Sequence, residues 1–106
     1  MKDFLRAQLE RHTQRLNELD FLLSREDIMK DMTQFLALSR EHTDVTATAG
    51  RYARYQQREA DVQAAQQMLQ DGGDDADMRA MAEEEIASAQ AELLQLEAEL
   101  QRMLLP

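Results

Sequence analysis

Apolar residues along this chain recur at spacings of four and three, the repeat of a helix face, rather than at every second position. Leu5, Leu9, His12, Leu16, Leu19 and Leu23 form one such stripe and predict a helix over 3–23, with Asp3 as its N-cap. Ser24-Arg25-Glu26-Asp27 has a cap-like opening and predicts a short extra helix over 26–32, on which Ile28 and Met32 face the same way. A long helix is predicted over 33–70. Its stripe is Phe35, Leu38, His42, Val45, Ala49, Tyr52, Gln56, Glu59, Val62, Gln66 and Leu69. The middle of that stripe is polar. Gly50 costs about 1 kcal/mol against alanine inside a helix, so a kink is expected near it. Asp71-Gly72-Gly73-Asp74-Asp75-Ala76-Asp77 is the clearest turn. Gly72 is expected in the left-handed conformation that ends a helix, and Asp75 or Asp77 is expected to cap the next one. The last helix, over 78–104, has the most regular stripe: Ala82, Ile86, Ala89, Leu93, Leu96, Leu100 and Met103.

These elements predict an all-α fold. A seven-residue turn makes the last two helices antiparallel, and the first helix covers the remaining seam. The result is an antiparallel helical bundle of three main helices, a long hairpin plus an N-terminal helix, in one domain over 1–106. Composition agrees. The 106 residues include only four Val or Ile, three Gly and one Pro, too few for pleated faces and many turns.

Charge changes the picture more. The net charge of −9 is concentrated in residues 71–106, which hold ten acidic and two basic side chains. Such a surface repels phosphate backbones, so direct nucleic-acid binding is not expected. The absence of cysteine removes disulfides, thiolate metal sites and cysteine nucleophiles, and fits a reducing cytoplasmic location. The longest apolar runs are about four residues, as in Phe35-Leu36-Ala37-Leu38, so no membrane span is expected.

Few residues suggest chemistry. His12 and His42 sit on apolar stripes with no third ligand spaced to join them, and are read as core-edge packing. Glu83, Glu84, Glu85, Glu92, Glu97 and Glu99 resemble a cation site or a catalytic carboxylate pair only superficially. Most lie off the stripe, where nothing separates their pKa values, and a solvated face is expected. Glu92, Glu97 and Glu99 are the candidate docking surface for a basic partner. Met68, Met78 and Met81 flank the turn and are read as flexible packing. Tyr52 and Tyr55, beside Arg51, Arg54 and Arg58, have the makings of a base-stacking surface, but amphipathic cover for a sparse core is the favoured reading. No phosphate-binding glycine loop, serine elbow or metal signature is present. No cofactor and no catalytic residue are expected.

Ala37-Leu38-Ser39-Arg40-Glu41-His42 resembles the ALSREY stretch of bacterial class I peptide chain release factors of the UAA- and UAG-reading kind. Ala65-Gln66-Gln67-Met68-Leu69, the acidic turn, and Asp77-Met78-Arg79-Ala80-Met81-Ala82 resemble that family's AQMML–D–EMREMA region. Leu104-Leu105-Pro106 resembles the LLLP that closes its helical N-terminal domain. The matches are short but collinear over nearly the whole chain. The turn is longer than the family's acid-proline link, and His42 stands where the family often has an aromatic residue.

The resemblance implies the N-terminal helical domain of a longer protein that terminates translation at stop codons, cut where the next domain begins. The family's Gly-Gly-Gln hydrolytic loop and Pro-x-Thr codon-reading tripeptide have no counterpart here: Gly72-Gly73 is followed by Asp74, and Pro106 is the single proline. The implied role is a non-catalytic docking arm near the stalk base of the large ribosomal subunit, linked to a GTPase release factor. A free-standing coiled-coil adaptor or assembly protein is the alternative.

Overall fold

The heptad stripe beginning at Leu5 forms the first helix over the predicted span. In a computed structural model that describes residues 1–72 and 75–106, α1 runs Asp3–Leu23, a 3-10 turn covers Ile28–Lys30, α2 runs Met32–Asp71 and α3 runs Ala76–Met103. The all-α expectation holds: there is no strand among the described residues. The chain divides into two compact units, Met1–Arg51 and Tyr52–Pro106, with the boundary inside α2.

In the first unit, α1 turns back into the N-terminal part of α2. Leu19, Ile28, Leu38 and Val45 form a buried cluster, against which Leu16, Leu22, Leu23 and Phe35 pack. Three local expectations are corrected here. Asp3 does not cap α1: Lys2 is the extended N-cap residue, and Asp3 is the first helical residue, where its charge still suits the helix dipole. The predicted helix over 26–32 is only a 3-10 turn. Ile28 is buried while Met32 is half exposed and opens α2, so the two do not share a face. The physical reason lies at the ends of this segment. The Ser24 hydroxyl donates to the Phe21 carbonyl and closes α1, and Asp31 Oδ1 accepts from the Gln34 amide at 3.1 Å and opens α2. Too few residues remain between these ends for a full α-turn with its own caps.

In the second unit, α2 and α3 form an antiparallel hairpin. Buried positions on α3 are Ala82, Ala89, Leu96 and Leu100, all on the predicted stripe. On α2 they are Tyr52, Tyr55, Arg58 and Ala65, whereas Gln56 and Gln66 are exposed. The α2 seam therefore steps three residues at Tyr52–Tyr55, where the sequence pattern steps four. Burial of a large aromatic is worth more than burial of an amide that would need partners.

The α2–α3 link is shorter than the predicted turn, because the helices reach in to Asp71 and Ala76. Gly73 and Asp74 lie outside the described residues. Asp75 is the cap: its Oδ1 accepts from the amides of Asp77 and Met78 at 3.0 and 3.1 Å. Gly72 is not in the left-handed region. Glycine is required there for another reason: its amide donates to the Met68 carbonyl at 2.6 Å, and a Cβ would collide with that same oxygen.

Helix α2 continues through Gly50, and a Cβ added at Gly50 would meet nothing within 4 Å. Glycine there carries its entropy cost with no packing reason for it. Gly50→Ala is expected to raise stability by about 0.5–1 kcal/mol, read as a higher urea midpoint with unchanged slope. A lower midpoint would mean that the helix is not regular at that point.

Candidate functional site

The carboxylates of α3 do not all face water. Folding the hairpin about its turn opposes residue 54 with residue 92. Arg54 grips Glu92 with both arms: Nε donates to Oε2 at 2.6 Å and Nη2 to Oε1 at 2.9 Å. One turn further along α2, the buried Arg58 donates from Nη1 to Asp61 Oδ2 and to Glu85 Oε1, each at 2.7 Å. Arg58 Nε lies 3.2 Å from Glu92 Oε1 but out of line for a hydrogen bond, so it is a buried N–H without an acceptor. The Arg54 hydrogen bond holds the Glu92 carboxyl below the usual carboxylate range, and the same hydrogen bond to Glu92 raises the Arg54 pKa in return. Asp61 is also lowered, first by the Gln57 amide that donates to it and then by Arg58.

Of the predicted docking residues, Glu92 is thus half-buried and doubly paired. Glu97 and Glu99 are half-buried on the same helix, and each has an interaction of its own. Glu83 and Glu84 are exposed, as a solvated face requires. Tyr52 and Tyr55 are buried, so their rings cover the core and are not presented for base stacking. Sequence reasoning misses the two-arginine clamp because Arg54 and Arg58 read as surface charges. Their signal is the hairpin register, which sets them opposite Glu92 and Glu85.

A parallel arrangement orders the first unit. Arg15 donates from Nε and Nη2 to the two oxygens of Glu41 at 2.6 and 2.7 Å, and from Nη1 to Glu18 at 2.6 Å. This raises the Arg15 pKa and lowers that of Glu41. His12 Nδ1 donates to the Gln8 carbonyl at 2.9 Å, since a carbonyl only accepts, and His42 Nε2 donates to Asp20 Oδ1 at 2.7 Å. Both histidines are half-buried at the edge of the core, as the sequence suggests. Among the described residues no group of three or more His, Cys, Asp or Glu is placed to hold a metal ion, and no helix is long and apolar enough to cross a membrane.

The lowered carboxylates set the sign of the acid response. A carboxyl with a depressed folded pKa stabilises the fold above its unfolded value and loses that contribution as pH falls through the folded value. Glu41 and Glu92 both start from an ordinary value of 4.5 and move down. Stability is therefore expected to be level near neutral pH and to decline as pH drops below about 4.5. The urea midpoint of a Glu41→Gln/Glu92→Gln variant, lower at pH 7, should fall less on acidification. An equal fall in both proteins would mean that these pairs do not carry the acid sensitivity.

The chain has clear likenesses. The family profile described as the PCRF domain matches residues 12–106. The protein named Peptide chain release factor 1 of Delftia acidovorans is 71% identical over 106 residues, covering 100% of this chain and 28% of its own length. The protein of the same name from Paracidovorax citrulli is 67% identical over the same extent, and that from Methylibium petroleiphilum is 51% identical. The chain spans 28% of the length of each of these three relatives. No solved structure matches it.

Proposed function

The chain belongs to the PCRF-domain family, and from that premise we propose that it is the N-terminal helical domain of a peptide chain release factor. The parent protein would direct stop-codon-dependent hydrolysis of peptidyl-tRNA on the ribosome, in the cytoplasm. In this reading the domain itself is a non-catalytic arm that docks near the stalk base of the large subunit and couples the parent to a GTPase release factor. The observation that carries the proposal is likeness over the whole chain to proteins bearing the release-factor name.

The stiffness of the hairpin supports the arm reading. The Arg54–Glu92 and Arg58–Glu85 pairs tie carboxylates to arginines across the hairpin and stiffen it, as an arm requires. The acidic face of α3, with Glu92, Glu97 and Glu99, is the docking surface toward a basic partner. Arg54 and Arg58 offset the charge of Glu92, so attraction comes from the acidic surplus of the whole 71–106 segment.

The test compares the full-length parent with the same protein lacking residues 1–106. Stop-codon-dependent peptide release from programmed ribosomes is followed with and without the GTPase factor. Release that persists while the response to the GTPase factor is lost supports the docking arm. An unchanged response overturns it, and a parent with no release activity overturns the family function as well.

A further inference from the structure

Near the turn of the second unit, α2 and α3 leave an open groove of about 430 Å³. Its floor is Ala65 and Ala82, both buried, and its walls are Met68, Met78 and Met81. Small floor residues create the hollow, because an alanine cannot fill the space that a leucine at the same seam position would. The methionines do not close it. Met68 and Met78 are each 43% exposed and Met81 is 70% exposed. Three adjacent thioethers held in water form a flexible, polarizable surface that reshapes itself around another apolar group.

Charge selects what that group belongs to. Asp61 and Glu85 line the groove and share the single charge of Arg58, so the pair stays net acidic. In the turns adjoining the lining residues in sequence, Asp71, Asp77 and Glu84 are exposed against one exposed cation, Arg79. The segment 71–106 carries eight more acidic than basic side chains. A nucleic acid or an anionic lipid surface is repelled by such a rim, and so is a second copy of a chain with net charge −9. A helix with apolar side chains on one face and Lys or Arg on the flanks satisfies both features at once. We propose that the methionine-walled groove at the hairpin turn binds a basic amphipathic helix of a partner protein. The proposal stands on the groove and its rim and does not require the release-factor reading.

The probe is a synthetic helical peptide with Leu at i, i+3, i+4 and i+7 and Lys elsewhere, titrated into the full 106-residue chain carrying ¹³C-methyl methionine. Saturable shifts are expected at the Met68, Met78 and Met81 methyls and not at Met29 or Met32, which are exposed in the first unit. Met81→Ser should weaken binding about tenfold, the size expected when one methionine side chain no longer reaches an apolar partner. Met81 is already largely in water, so thermal unfolding of that variant should stay unchanged, and Met78→Ser provides a second, independent variant. Added salt should weaken peptide binding further.

Three results would overturn the proposal. The first is the absence of saturable shifts. The second is equal binding by a peptide of the same composition with its Leu and Lys order shuffled, which would reduce the effect to charge alone. The third is movement of the same methyls with chain concentration, with an anionic vesicle or with polyuridylate, which would assign the groove to a second copy, a membrane or RNA.

Discussion

Leu19→Ala is expected to lower stability by about 3 kcal/mol, within the roughly 2–5 kcal/mol range for deleting a buried leucine side chain. Leu19 has no exposed surface and sits in a cluster that joins α1, the 3-10 turn and α2 in the first unit. Its neighbours Ile28, Leu38 and Val45 come from the 3-10 turn and α2, so none can move into the void without shifting its own backbone. The cost therefore includes a cavity as well as the transfer energy of the deleted atoms. Against a total stability of about 5–15 kcal/mol for a small domain, this is a large fraction. Phe21→Ala, two residues away, is the control: that ring is 68% exposed, and its removal should change stability by less than about 0.5 kcal/mol. Urea unfolding followed by circular dichroism checks both. Equal costs at the two positions would mean that the cluster is not the core of this unit.

Tyr55→Ala is expected to cost about 3 kcal/mol and Gln56→Ala less than about 0.5 kcal/mol, both read from urea midpoints. The pair of variants separates two registers of the same helix. A stripe read from sequence steps from Tyr52 to Gln56 and puts the glutamine on the seam, with Tyr55 only as amphipathic cover at its edge. In the fold Tyr55 is 5% exposed and Gln56 lies in water. Truncating a Tyr55 ring set in the seam removes buried apolar surface and leaves a cavity, whereas truncating an exposed glutamine removes only solvated methylenes. If the larger cost fell at Gln56, the seam would follow the four-residue step and the position of Arg58 would also need revision.

The same shift explains the make-up of the candidate site. Arg58 lies beside Glu59 in sequence, and the predicted stripe places Glu59 on the seam. The structure buries Arg58 and leaves Glu59 half-exposed. Once Arg58 is inside, it needs acceptors, and Asp61 and Glu85 supply them. The carboxylates read from sequence as a solvated face are therefore divided. Glu83 and Glu84 remain in water, Glu85 is exposed but tied to Arg58, and Glu92 is half-buried between Arg54 and Arg58. The family likeness, by contrast, is legible in short collinear motifs, because it depends on residue order and not on packing.

Local periodicity determined the helical class, the span of α1 and the buried face of α3. In these segments the apolar residues at four-and-three spacing line one face, and Phe4, Phe21 and Leu94, apolar residues off that stripe, are left exposed. The α3 cap was legible only as a choice between Asp75 and Asp77, because either carboxylate before a helical run has free amides to accept from, and the fold places Asp75 there. Tertiary structure alone decided the rest: the three-residue step at Tyr52–Tyr55, the reduction of the predicted 26–32 helix to a 3-10 turn, and the pairing of Arg54 with Glu92. A helix has 3.6 residues per turn, so positions three and four along are nearly equivalent until an opposing surface chooses between them. On α2 that choice fell to the side chains of the facing helix, which lie far away in sequence and carry no local mark of their partner.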